Sequence, residues 1–398
     1  MIVDLPSTST TSISKRLVRM RNEMGATTLG RVLTLVVLVN ETDADQAIED
    51  ANDASHQHPC RIVVVIRGDK RGANRLDAQI RVGGDAGASE VVVMRLYGKL
   101  ADHGHNVVTP LLLPDSPIVA WWPTEAPDDV ATSPLGQMAG RRITDAATGS
   151  KPHVQLAKRA RTYRAGDTDL AWTRVTLWRG LLAAALDQPP YEPVLEATVS
   201  GAGDSPSTDL LAAWLALTLK CPVRRTRGRN GVGMTSVRLE RKSGPVDLVR
   251  PDGRVATLAQ TGQPVRRISL ARRTTAQCLA DELRRLDRDE VYEEVLTKGL
   301  QLIDPKKGMP TSEAVAGGEA PSLQQSRRAA RAAARRNKDI GSSKMVQSPS
   351  PEGKGTARSD TKAVKEAAAR KLKAKTESDT KEPGKRDAAT KGQGKGST

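Results

Sequence analysis

The sequence predicts an α/β fold: two α/β domains with mixed sheets, followed by a disordered basic C-terminal tail. Three observations predict it. Two β-branched runs flank an Ala-rich amphipathic stretch near the N-terminus. Short strand-like runs separated by Gly and Pro turns fill residues 235–270. Beyond residue 304 large apolar residues almost vanish.

Ile13, Leu17, Met20 and Met24 recur at helical spacing, and Gly25 is placed to cap the end of that helix. The run at 31–39 reads as a strand. Thr42-x-x-Asp45 then offers a capping box for a helix with Ala44, Ala47, Ile48, Ala51 and Ala54 inward. Pro59 stops it, and Arg61–Arg67 is a second buried strand. Strand, helix, strand in this span predicts a right-handed crossover with parallel strands. Strands at 77–82 and 90–96, a helix over 98–112 and a strand ending at Trp121-Trp122 complete a first domain, residues 1–122.

Residues 123–165, rich in Pro, Asp and Gly, read as a connector with a short helix at 135–145. A second α/β domain with a β-meander, residues 166–304, opens on a helix at 169–187. It continues with a strand at 194–200 and a helix at 208–219. Strands follow at 235–241, 246–250, 255–259 and 265–270, with turns at Gly244-Pro245 and Pro251-Asp252-Gly253. Helices at 275–286 and 289–300 close it. Residues 305–398 are Lys/Ala-rich and carry about +12 of the chain's +16, too little apolar surface to fold alone.

The segment Asp169-Leu170-Ala171-Trp172-Thr173-Arg174-Val175-Thr176-Leu177-Trp178-Arg179 concentrates two tryptophans and two arginines. As one helix it puts Trp172, Val175, Arg179, Leu182 and Leu186 on one face. Leu170, Arg174, Leu177, Trp178, Leu181 and Ala185 form another face. A narrow strip with Asp169, Thr173, Thr176, Gly180 and Asp187 is left for water. A helix this apolar is expected to be buried, and its guanidinium groups cannot deprotonate. They need carboxylate partners within the fold or an anionic surface outside it.

Other motifs carry less chemistry. His56-x-His58-x-Cys60 does not have a zinc spacing, and no metal or cofactor is expected. Gly201 and Gly203 link a strand to a helix and offer an anion-binding turn, but Pro206 stands where a dinucleotide fingerprint needs glycine. There is no Walker loop, no Ser-His-Asp order and no H-E-x-x-H, so no catalytic residue is assigned. The tail has no aromatic residue to stack on bases, so a specific nucleic-acid partner is not expected. Cys60, Cys221 and Cys278 form no C-x-x-C pair. The first residues lack a signal-peptide pattern, and no apolar run is long enough to span a bilayer. A cytoplasmic protein without membrane attachment is expected.

Ile2-Val3-Asp4-Leu5-Pro6, Thr28-Leu29-Gly30-Arg31-Val32-Leu33-Thr34-Leu35-Val36, His58-Pro59-Cys60-Arg61-Ile62-Val63-Val64, Trp121-Trp122-Pro123, Arg141-Arg142-Ile143-Thr144-Asp145 and the Asp169–Arg179 segment resemble the glucose-6-phosphate dehydrogenase assembly protein OpcA family. The resemblance spans residues 1–303 and stops at the tail. It implies a non-catalytic partner and allosteric activator of glucose-6-phosphate dehydrogenase, serving NADPH production in the oxidative pentose phosphate pathway. In some relatives this activation is tied to thiol redox state through thioredoxin. Expected partner-binding residues are Trp121, Trp122, Arg141, Arg142, Asp145, Trp172, Arg174, Trp178 and Arg179, with Arg174 and Trp178 facing the partner. Arg142 and Asp145 could instead pair with each other at i, i+3. Two rival readings are a sugar-phosphate-binding enzyme using the Gly201/Gly203 loop and a nucleic-acid-associated protein using the tail.

Overall fold

The computed structural model describes residues 1–24, 32–82, 90–228 and 233–303. The tail, Gly25 and the Thr28–Arg31 part of the resemblance lie outside the described residues. In chain order the first elements are β1 (Ile2–Leu5), α1 (Thr10–Met24), β2 (Thr34–Asn40), α2 (Ala44–Ser55), β3 (Arg61–Arg67), β4 (Arg75–Val82) and β5 (Glu90–Tyr97). Then come α3 (Gly104–Val108), β6 (Ile118–Trp122), α4 (Pro134–Met138), β7 (Arg141–Thr144), α5 (Pro152–Thr162) and β8 (Asp167–Asp169). These strands form one eight-stranded sheet in the order β1-β4-β5-β3-β2-β6-β7-β8. β5 through β8 run parallel in that order, whereas β1 and β4 are antiparallel additions at one edge.

The remaining elements are α6 (Leu170–Thr173), α7 (Thr176–Leu186), β9 (Glu196–Ala202), α8 (Pro206–Leu219), β10 (Val223–Gly228), β11 (Met234–Glu240), β12 (Val246–Val249), β13 (Val255–Gln260) and β14 (Arg266–Ser269). α9 (Thr275–Arg284), α10 (Glu290–Glu294), a π turn at Val295–Gly299 and α11 (Leu300–Leu302) follow. The second sheet has the order β10-β9-β11-β12-β13-β14. Only its β10–β9 pair is parallel, because α8 supplies the crossover between them.

Both faces of the first sheet are covered, which is why β2 and β3 are continuous apolar runs rather than alternating ones. Leu35, Val37, Ile62, Val64 and Trp121 pack with α2 and with Cys278, Leu279 and Leu283 of α9. Val36, Val63, Val92 and Trp122 face the opposite way, toward Ile13, Leu17 and Met20 of α1. The two adjacent tryptophans therefore serve opposite layers, as strand alternation requires. A third core lies under the second sheet, where Trp172, Trp178 and α8 meet Val199, Val237, Leu248 and Leu258.

Four local expectations are corrected. The helix expected over 98–112 is two 3-10 turns around the short α3, because Gly98 takes a left-handed φ of 63° and Pro110 interrupts the ladder. The helix expected at 135–145 stops at Met138, and Arg141–Thr144 pairs in parallel with β6 as β7. Thr42 does not form a capping box; a 3-10 turn at Glu41–Asp43 leads into α2 without a side-chain cap bond. The Asp169–Asp187 helix is broken at Arg174–Val175 into α6 and α7.

One buried ion cluster fastens the first sheet. Glu90 is fully buried and accepts from Arg61 at 3.2 Å and from Arg21 of α1 at 3.2 Å. Arg61 also donates to the Leu111 carbonyl at 2.6 Å. Glu90→Gln strips the counter-charge from two guanidinium groups and is expected to cost about 3 kcal/mol or more, read as a lower denaturant midpoint with an unchanged slope.

Candidate functional site

The Asp169–Arg179 segment begins where β8 ends. Asp169 caps α6, accepting from the Ala171 amide at 2.9 Å, and also takes the Thr144 hydroxyl at 2.6 Å and the Ala146 amide at 3.0 Å. Its carboxyl is wholly buried, and burial together with nearby Asp145 raises its pKa. Trp172 donates its indole N–H to Asp289 at 2.8 Å, and Thr173 donates to Glu282 at 2.6 Å. Arg174 grips Asp145 with two parallel bonds of 2.7 and 2.6 Å. Burial opposes that guanidinium charge, but Asp145 outweighs it and raises the Arg174 pKa.

The other expected site residues are mostly buried, and Trp122 lies on the opposite face of the first sheet from Trp121. Arg141 reaches across to Glu282 at 2.5 Å and to the Asp287 carbonyl at 2.9 Å. Arg142 pairs with Asp167, not with Asp145, and also donates to the Ala139 carbonyl at 2.8 Å. Arg142 lies in the extended chain of β7 and Asp145 just past its end, so the helical i, i+3 pair does not form. Trp121, Trp122, Trp172 and Trp178 are each at most 1% exposed. The Arg179 guanidinium lies over the Trp172 ring, 3.8 Å from its centroid. The break before α7 turns the helix phase, so Thr173 and Asp169 are buried and Leu177 stands 47% exposed.

The glycine turn is packed rather than open. The Gly203 amide donates to the Gly228 carbonyl at 3.2 Å, and its own carbonyl bonds His153. A Cβ on Gly201 would meet the Thr208 hydroxyl at 2.5 Å and the Gly233 carbonyl at 2.9 Å. Arg225 runs behind the turn, bonding the carbonyls of Gly201 and Ala202 and, at 2.8 Å, Asp209. His153 Nδ1 lies 2.7 Å from Asp209, and that carboxylate raises the histidine's pKa.

Beside this turn lies a cleft of ≈ 370 Å³ between α7, the start of α8 and residues 270–273. Arg174 and Trp178 reach it from the helix pair, Ser205, Pro206 and Ser207 from α8, and Arg250, Arg272 and Arg273 from the second sheet's end. Sequence reasoning missed these last three. A signal was present for Arg250: it follows Val246 and Leu248 on the inward phase of β12, where a charge is anomalous.

Among the described residues no group of three or more His, Cys, Asp or Glu is arranged to hold a metal. No described helix is long and apolar enough to cross a membrane. Cys60 and Cys278 are buried and unbridged, and burial pushes the Cys278 thiol up to about 11.

Family models match two consecutive stretches. Residues 51–161 match the glucose-6-phosphate dehydrogenase subunit N-terminal domain, and residues 165–296 match the corresponding C-terminal domain. No curated protein sequence matches the chain. Solved structures with a distant likeness include the 3-ketoreductase KijD10 from Actinomadura kijaniata, at 10% identity over 69% of this chain and 95% of that one, TM-score 0.38. Another is glucose-6-phosphate 1-dehydrogenase from Mycobacterium avium, at 11% identity over 70% and 93%, TM-score 0.35. At these scores the likeness carries nothing about activity.

Two outcomes are expected from this geometry. Asp145→Asn leaves Arg174 without its counter-charge and lowers stability by about 3–5 kcal/mol, whereas the joint change of Asp145 and Arg174 to Asn and Leu recovers part of that loss, as a double-mutant cycle by chemical denaturation will show. For His153, the raised pKa means the folded protein holds a proton that the unfolded chain releases near 6.5. This contribution is therefore complete below pH 6.5 and fades as pH climbs through the folded value. The melting temperature of His153→Gln should fall less than that of the unchanged protein over that rise.

Proposed function

The chain belongs to the OpcA family of glucose-6-phosphate dehydrogenase assembly proteins, and on that footing we propose that it is a non-catalytic partner of that dehydrogenase. In this reading it binds the enzyme, favours its competent assembly, and so supports NADPH production in the oxidative pentose phosphate pathway. The observation that carries the reading is the match of both halves of the folded body, in order, to the two domains of one subunit family. An activator of this kind works by binding the active conformation or oligomer more tightly than the alternatives.

The first sheet supports a non-catalytic role. Strand order diverges on either side of β2, with β3 on one flank and β6 on the other. Open α/β sheets place ligands beyond the carboxyl ends at such a point. Here β2 is followed by Glu41, Thr42 and Asp43 instead of a glycine-rich turn. Asn40 bonds Glu125 at 3.1 Å, and Thr124 bonds Asp43 at 3.3 Å. Glu41 is held by Arg95 at 2.8 Å, which leaves Asp43 and Glu125 as the carboxylates that disfavour a dinucleotide's phosphates at the crevice.

The partner surface in this reading is the outer side of α7 around Leu177, with Arg179 held over Trp172 and with Arg174 and Trp178 behind it. Arg141, Asp145 and Trp121 support that surface from within, whereas Arg142 and Trp122 face the opposite layer of the first sheet.

Mixing the purified protein with its dehydrogenase is expected to raise NADP reduction, while the protein alone turns over no glucose 6-phosphate. Turnover by protein proven free of the dehydrogenase overturns the reading. Leu177→Asp is expected to melt normally yet weaken the association by about 2 kcal/mol or more. Normal activation by that variant removes α7 from the contact.

A further inference from the structure

We infer that the arginine-lined cleft between α7, the N-terminus of α8 and residues 270–273 is a binding site for a small phosphate-bearing anion, of the size of a sugar phosphate. The cleft shares Arg174, Leu177 and Trp178 with the proposed partner surface, but binding of a small anion does not depend on that partnership, and its test uses the protein by itself.

Arg250 is the central observation. It is only 5% exposed and ends an inward-facing strand phase. Its guanidinium donates to the carbonyls of Leu270 at 2.9 Å and Met234 at 3.1 Å, and lies 4.9 Å from the centroid of Trp178. Its Nε has no acceptor, and no carboxylate among the described residues forms an ion pair with it. Asp252 is the nearby carboxylate that favours the charge, without a contact ion pair. A buried guanidinium lacking a direct counter-ion is costly, so an anion in the cleft would relieve a cost that the folded chain already carries. The surroundings agree, since burial and nearby Arg272 push the Arg250 pKa down to about 10.

Three further features suit phosphate. Arg174 and Arg273 line the cleft while held by Asp145 and Asp281 at 2.6 Å each. Their planes are thus fixed before a ligand arrives, and preorganised donors cost less to engage. Arg272 adds a fourth guanidinium; among the described residues Asp204 is the one carboxylate on the lining. The start of α8, a helix of 14 residues, supplies the third feature. Ser205 uses its hydroxyl to cap the Thr208 amide, and Pro206 has no N–H. Ser207, half-buried on the cleft wall, is left with an amide that by its position has no acceptor within the helix. An anion there meets both an N–H donor and the positive end of the helix dipole. A cleft of ≈ 370 Å³ holds a phosphorylated sugar but is small for an extended dinucleotide.

Titration calorimetry and thermal melting of the full chain test this with inorganic phosphate and a hexose 6-phosphate as separate arms. Unphosphorylated hexose and chloride at matched ionic strength are the controls. Both phosphates are expected to bind at one site and raise the melting temperature, and tighter binding of the ester identifies the cleft as a sugar-phosphate site. Arg250→Met is expected to weaken binding by about tenfold or more, the worth of one charge-assisted hydrogen bond. Ser207→Asp covers the case in which Arg250→Met fails to fold. A carboxylate at a helix start is favourable for the helix, so that variant keeps its melting temperature without ligand while losing phosphate binding. The inference is overturned if neither phosphate binds, if chloride or the bare hexose does equally well, or if folded Ser207→Asp binds phosphate as the unchanged protein does.

Discussion

The pairing of Arg174 with Asp145 is the contact on which the centre of this protein depends. Asp145 is completely buried on its side chain, and so is Asp169 at the end of the neighbouring strand β8. Two carboxylates this close cannot both stay charged away from water unless positive charge and N–H donors are aimed at them. Arg174 supplies the charge for one; the Thr144 hydroxyl and two backbone amides satisfy the other. That requirement dictates the order of residues in Asp169–Arg174. The cap comes first, then the Trp172 indole turned to Asp289, then Thr173 to Glu282, then the arginine turned back to β7. Each consecutive polar group finds a different element, so one turn of helix ties the end of the first sheet to the helices that follow the second.

The sheet of the first half was largely legible because its signals are local. β2, α2 and β3 declare themselves by apolar runs, alanine periodicity and Pro59, and all three stand where the pattern puts them. The short strands β1, β7 and β8 were not legible. They hold three or four residues each, and their strand character comes from the neighbour they join rather than from their own composition. The break between α6 and α7 was hidden for the same reason. Nothing in Arg174-Val175 forbids a continuous helix, but Arg174 must reach Asp145.

The candidate site shows the limit of reading residues one stretch at a time. The helix arginines were visible as charges in an apolar segment, and two answers to them, an internal carboxylate or an outside surface, were both open from sequence. For Arg174 the structure supplies an internal carboxylate. The arginines that remain of chemical interest, Arg250 and Arg272, sit about 75 to 100 positions further along. Only the packing of β12 and the start of α9 beside α8 brings them to the same cleft. Trp178 explains why they can coexist there, since its ring offers Arg250 a face where a second cation would offer only repulsion.

The position of α9 has a consequence for how the chain is made. Cys278, Leu279 and Leu283 complete the layer that covers Leu35, Val37, Ile62 and Trp121, and Glu282 neutralises Arg141 of β7. A ribosome delivers those strands more than a hundred residues before it delivers α9. During that interval one face of the sheet has only α2 to shield it, and Arg141 emerges without its carboxylate. Newly made N-terminal halves therefore carry a sticky, charge-frustrated surface until synthesis is nearly finished, the kind of nascent chain that engages chaperones.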